Sequence, residues 1–124
     1  MAGADEVIAE LRRVVALVDE EGASARTVAE RLDGVGEVVE GDGGVVAQVA
    51  LEVAGDVVVP YAAVEAALGP GARQPVLSLS EPRQRLFRVA GRDPSVEIMV
   101  FARLAWHESG DRVVAFTVRR DPRL

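Results

Sequence analysis

The spacing of apolar residues in the first part of the chain predicts helices. From residue 4 to 21 the apolar positions recur at three- and four-residue spacing with charged residues opposite, as in an amphipathic helix. The apolar positions are Val7, Ile8, Leu11, Val14, Val15 and Val18. Ser24 or Thr27 caps a second, short helix, because the sequence from Thr27 to Glu30 has the form of a capping box. Residues 4–33 are therefore predicted to be helical.

Strand-like patterns dominate the rest of the chain, apart from one short helix. The glycine-rich turn at 41–44 separates two apolar stretches, which predicts a hairpin over 35–59. Pro60 suits the first turn of a helix, so a short helix is expected over 60–68. From 76 to 120 four strand-like stretches alternate with turns, which predicts an antiparallel meander.

These elements together predict an α+β fold in a single domain, residues 1–124. An antiparallel sheet of about five or six strands carries the long N-terminal helix and one or two short helices on one face. At 124 residues, one sheet face and one helix layer make a complete core. The second sheet face is expected to be partly polar and to form the natural contact surface.

The longest predicted strand, VEIMVFARLAWH at 96–107, indicates which residues belong to each sheet face. Its even positions are continuously apolar, whereas the odd positions include Glu97, Arg103 and His107. Trp106 is accordingly expected on the core side and His107 on the other. Neighbouring residues of a strand line one pocket only where the strand bulges.

Composition excludes several classes of site. The chain has no cysteine and one histidine, which removes disulfides, thiol nucleophiles and thiolate zinc sites. No metal and no cofactor are expected. The longest apolar runs fall far short of the roughly 20 residues that span a bilayer, and the N-terminus carries acids where a signal peptide has a basic flank. We expect a cytoplasmic protein without a membrane partner.

The net charge of −6 is unevenly distributed along the chain. Residues 1–70 carry 4 arginines against 14 acids, whereas residues 71–124 carry 10 arginines against 6 acids. The first part is therefore strongly acidic and the second basic. Every basic residue is arginine. Two explanations of this exclusive use of arginine stay open. One is codon bias, and the other is a functional need for bidentate contacts to carboxylate or phosphate groups.

Nucleic acid is not the expected partner. The helices predicted within 4–33 have the outline of a helix-turn-helix, but a glycine-rich, acidic stretch follows where a basic recognition helix would stand. An acidic surface is repelled by phosphates. If an anionic polymer does bind, the basic C-terminal strands are the expected contact.

Candidate catalytic groups are few. His107 is the residue type most often used as a general base, yet no serine, cysteine or second histidine stands in a recognisable relation to it. We therefore expect no catalytic residue, and a non-enzymatic function is favoured over an enzymatic one. Trp106 beside it is a candidate platform for stacking a ligand, or a half-buried core aromatic.

The arginines of the C-terminal strands form the most prominent candidate binding site. They are Arg85, Arg88, Arg103, Arg112 and Arg119. If the meander pairs in chain order, several of them share an exposed face that suits an acidic partner, a second copy's acidic helix layer or an anionic ligand. In the alternative interpretation they pair internally with Glu97, Glu81 and the acidic helices.

The sequence thus predicts a non-catalytic protein-binding module that uses an arginine-bearing sheet face. Its partner is a second copy or another protein, for which the chain acts as an adaptor, chaperone-like or inhibitor-like protein. The alternative is a small-ligand-binding protein or enzyme with a cavity between helix and curved sheet. That cavity would be lined by Tyr61, Arg103, Trp106 and His107.

Overall fold

The computed structural model describes residues 3–20, 24–32, 36–44, 46–73, 83–105 and 111–122. Over these ranges the chain forms three α-helices and one six-stranded antiparallel sheet. This confirms the predicted α+β fold with a long N-terminal helix.

The helices follow the predicted pattern. Helix α1 spans Ala4–Asp19, α2 spans Ala25–Leu32 and α3 spans Tyr61–Leu68. The apolar stripe of α1 is buried at Leu11, Val14 and Val18. At the start of α2 the hydroxyl oxygen of Ser24 accepts a hydrogen bond from the backbone N–H of Thr27 at 3.1 Å, so Ser24 is the cap. None of the described helices is long and apolar enough to cross a bilayer.

The strands run in the order β1-β2-β6-β5-β4-β3 across the sheet. Their bounds are Glu37–Glu40 for β1, Val46–Glu52 for β2, Ala72–Arg73 for β3, Gln84–Ala90 for β4, Val96–Ala105 for β5 and Arg112–Pro122 for β6. Strands β4, β5 and β6 form a meander, and β2 extends it by pairing with β6. The predicted strand at 76–80 lies outside the described residues. The short β3 lies between the short helix expected over 60–68 and the meander expected from 76, where no strand was predicted.

The core lies between the helices and one face of the sheet. Helix α1 packs on β2, β5 and β6, and the predicted core positions of β5 are buried: Ile98, Val100, Ala102 and Leu104. Among the described residues, the largest fully buried side chains are those of Phe87 in β4 and Phe116 in β6. The odd positions of β5 therefore lie on the face turned away from the helices.

Candidate functional site

The sheet face opposite the helices carries the predicted arginine site, and we call it the arginine face. From β5 it contains Glu97, Met99, Phe101, Arg103 and Ala105, and from β6 their cross-strand partners Asp121, Arg119, Thr117, Ala115 and Arg112. From β4 it contains Gln84, Leu86, Arg88 and Ala90, and from β2 and β1 it contains Gln48, Ala50, Glu52, Glu37 and Val39.

Strand register arranges the arginine face in rows that run across the strands. The acidic row is Asp121, Glu97 and Ala90, and the basic row is Val39, Gln48, Arg119, Met99 and Arg88. The central row is Glu37, Ala50, Thr117, Phe101 and Leu86, and the mixed row is Glu52, Ala115, Arg103 and Gln84. Arg112 and Ala105 form the end row. Two of the four carboxylates, Asp121 and Glu97, thus lie at one end of the face, and Arg112 lies at the other.

Three arginines of this face pair with carboxylates of the same face. Nε of Arg119 lies 2.7 Å from Oδ2 of Asp121, Nη2 of Arg103 lies 3.6 Å from Oε2 of Glu52, and Nη1 of Arg88 lies 3.7 Å from Oε1 of Glu97. These arginine side chains remain between 42% and 65% exposed. Exposed pairs add roughly 0–1 kcal/mol to stability, which applies to the pair of Arg103 with Glu52. The carboxylates of Asp121 and Glu97 are only 26% and 14% exposed. Of the predicted internal partners Glu97 is used, and Glu81 lies outside the described residues.

Arg119 also covers the apolar centre of the face. Its guanidinium carbon lies 5.1 Å from the ring centroid of Phe101, and its Nη2 lies 3.7 Å from Sδ of Met99. Such a cation–π contact contributes about 0.5–1 kcal/mol at exposed sites. The face therefore combines an aromatic ring, a methionine and an arginine, the side chains that are enriched at protein interfaces.

Arg112 differs from the other arginines of the face. Its Nε is buried and has no hydrogen-bond partner among the described residues. It belongs to the end row, whereas Asp121 belongs to the acidic row at the other end of β6. Among the described residues this donor of Arg112 therefore has no acceptor, and a buried donor without an acceptor carries a free-energy penalty.

Arg85 and Tyr61 belong to the helix side of the sheet. Arg85 pairs with the buried Ala102 in the register of β4 and β5, and its guanidinium carbon lies 5.1 Å from the ring centroid of Tyr61. The Tyr61 ring in turn lies 5.9 Å from that of Phe87. The structure therefore places Arg85 away from the other four arginines of the predicted site, and Tyr61 away from Arg103.

Two of the four residues of the predicted ligand cavity, Trp106 and His107, lie outside the described residues. Their roles stay predictions. Among the grooves formed by described residues, one of about 310 Å³ lies between α1 and the end of β2 and another of about 460 Å³ lies between α1 and α3. Neither groove is lined by Tyr61 or Arg103.

Tyr61 gives a pH-dependent prediction. Burial raises the pKa of Tyr61 above its ordinary value of 10.0, and the nearby Glu65 carboxylate raises it further, while Arg85 acts in the opposite direction. The folded chain therefore keeps the phenol proton where the unfolded chain has lost it. The free energy of unfolding is expected to fall as pH rises from 10.0 through the folded pKa.

The measurement is direct because Tyr61 is the only tyrosine in the chain. In an alkaline titration followed by phenolate absorbance, the midpoint of the folded protein is expected at a higher pH than the midpoint of the denatured protein. Glu65→Gln is the matched control and should move the midpoint back toward the ordinary value. A folded midpoint at or below that of the denatured chain would contradict the burial of the phenol.

No protein-family model matches the chain, and no curated protein sequence matches it either. A functional argument therefore depends on the site itself. The alternation in the sequence of β5 places Met99 and Phe101 on the same face as Arg103, but they were not predicted as binding residues. Nor were Glu52 and Asp121, whose positions follow only from the register of β2 and β6.

Proposed function

We propose that the chain is a non-catalytic protein-binding module whose contact surface is the arginine face. The observation that carries this proposal is the group formed by Phe101, Met99 and Arg119 on the sheet face that the helices leave free. Phe101 and Met99 are only partly buried, so a second protein gains apolar burial by covering them. Aromatic, methionine and arginine side chains are those that dominate binding energy in interfaces.

The charge of the arginine face supports the same proposal. Four arginines and four carboxylates lie on it, so its formal charge is zero, whereas the whole chain carries −6. A neutral patch with both signs escapes the general repulsion between acidic surfaces. Its alternating signs favour a partner with the complementary arrangement and disfavour others.

Charge reversal at the face tests the proposal. Arg103→Glu combined with Arg119→Glu is expected to weaken binding to a protein partner by about tenfold or more, because like charges then meet across the contact. Arg12→Glu is the matched control, since Arg12 lies exposed on α1 outside the face. Light scattering after size-exclusion chromatography at low and high salt measures self-association.

Affinity capture with the wild type and both variants measures binding to other proteins. The proposal expects a bound protein, a second copy or another chain, that is retained by the wild type and by Arg12→Glu and lost by the double reversal. It fails if the double reversal leaves self-association and every captured protein unchanged while circular dichroism shows that all three chains are folded.

A further inference from the structure

We infer that the partner of the arginine face is a second copy of the chain, docked face to face with its strands antiparallel. The two-fold axis then runs across the strands, along the central row. This inference rests on the proposed function and adds to it the identity and orientation of the partner. A two-fold dimer brings the same patch of both copies together, so the rows of one face must suit the rows of the other.

An axis along the strands is disfavoured by charge. Such an axis would place each row opposite the same row of the partner. The carboxylates of the acidic row, Asp121 and Glu97, would then face the acidic row of the other copy. Likewise, the guanidinium groups of Arg119 and Arg88 would face the basic row of the other copy. Like charges placed opposite one another across an interface cost several kcal/mol. The charge pattern of the face therefore excludes the parallel arrangement.

An axis across the strands exchanges the rows instead. The acidic row then faces the end row, which brings Asp121 opposite Arg112 of the other copy. The basic row faces the mixed row, where Arg119 lies opposite Ala115 of the other copy and has that copy's Glu52 and Arg103 on either side. Since Glu52 and Arg103 form an ion pair, the basic row meets a row without net charge. Because the axis is two-fold, each of these pairings occurs twice. Opposite charges meet at both ends of the face, and Arg112 gains a carboxylate partner.

The central row faces itself in this arrangement. Phe101 and Thr117 lie near the axis and meet their own copies, so the partly buried apolar centre is covered from both sides. Glu37 also lies in this row, but on the edge strand β1. Stacked sheets cross at an angle of roughly 30°, which displaces their outer strands sideways from one another. The like-charge contact is thus confined to the periphery.

The size of the face predicts a weak dimer. Along β5 the face extends eight residue steps from Glu97 to Ala105, which is about 26 Å at roughly 3.3 Å per residue. Across the sheet it covers four strands, which is about 19 Å at roughly 4.8 Å per strand. The resulting area of about 500 Å² per copy is below the roughly 800 Å² of a standard interface. We expect a dissociation constant in the micromolar range that rises with salt.

A charge swap tests the pairing of Asp121 with Arg112. Asp121→Arg and Arg112→Asp, each alone, are expected to weaken the dimer by about tenfold or more in sedimentation equilibrium. The two changes together restore opposite charges across the axis and should return the dissociation constant to within about threefold of the wild type. Asp56→Arg is the control, because Asp56 is exposed outside the face, and it should leave the constant unchanged.

Spin-label distances test the orientation of the copies. The chain has no cysteine, so Ala90→Cys or Thr117→Cys gives one label per copy without changing a charge. The antiparallel arrangement predicts a short distance between the Thr117 labels, near the axis, and a distance above about 25 Å between the Ala90 labels in the acidic row. A parallel arrangement predicts less than about 20 Å between the Ala90 labels.

The outcomes separate this inference from the proposed function. A short Ala90 distance, or a double swap that fails to restore the dimer, overturns the antiparallel arrangement. A monomer at every concentration, whose arginine face nevertheless binds another protein, overturns self-docking and leaves the proposed function standing. A dimer that is insensitive to Arg103→Glu with Arg119→Glu overturns this inference, and it overturns the proposed function as well if the double variant also retains every captured protein.

Discussion

Replacing Phe116 by alanine is expected to lower the free energy of unfolding by about 3–5 kcal/mol. The Phe116 ring is 1% exposed and lies in the core cluster with the apolar stripe of α1. Its removal leaves a cavity that valine side chains around it cannot fill without moving the backbone of β6. A loss of this size is a large fraction of the 5–15 kcal/mol that typically stabilises a domain, and urea denaturation followed by circular dichroism measures it.

Phe101→Ala is the matched control on the other face of the neighbouring strand. Phe101 is only partly buried, so the same truncation is expected to lower the free energy of unfolding by about 1 kcal/mol. Unlike Phe116→Ala, it should weaken self-association, because the ring lies at the centre of the arginine face. Equal losses of stability in the two variants would contradict the assignment of the two faces.

Much of this two-faced arrangement is predictable from the sequence. Alternation in VEIMVFARLA separates the buried positions of β5 from Arg103, because side chains in a strand point to opposite faces with a period of two. The same rule separates Arg85 from Arg88, which are three residues apart. Arg85 accordingly lies on the helix side, against Tyr61. Grouping Arg85 with the other arginines neglected this parity.

The position of Arg112 was not predictable in that way. Arg112 and Arg119 are seven residues apart, so simple alternation would place them on opposite faces of β6. The register of β5 and β6 shifts between Arg103 and Leu104, and this irregularity returns Arg112 to the arginine face. A bulge depends on the pairing of two strands, and neither strand alone carries a clear signal for it.

Contacts between residues that are far apart in the sequence could not be predicted from local sequence patterns either. Asp19 ends α1, and its Oδ1 accepts a hydrogen bond from the backbone N–H of Arg92 at 3.0 Å. This joins the first helix to the turn between β4 and β5. A carboxylate at the C-terminal end of a helix is disfavoured by the helix dipole, so helix rules gave no reason to expect it there. The tertiary contact supplies the reason.

A glycine at the edge of the arginine face gives the second large effect on stability. Gly36 precedes β1 with a φ of 85°, and a Cβ atom placed there would lie 2.6 Å from Cδ2 of Leu51 and 2.7 Å from the backbone O of Ala50. Gly36→Ala therefore combines a left-handed backbone with a steric clash against β2. We expect a loss of about 2–4 kcal/mol in the free energy of unfolding.

Gly43→Ala separates the two contributions. Gly43 has a φ of 70°, but a Cβ atom there meets nothing within 4 Å, so only the backbone penalty of about 1–2 kcal/mol is expected. The difference between the two variants in urea denaturation measures the clash alone. Equal losses would mean that β2 moves aside freely. Because Ala50 lies in the central row of the arginine face, such a movement would then appear as weaker self-association of Gly36→Ala.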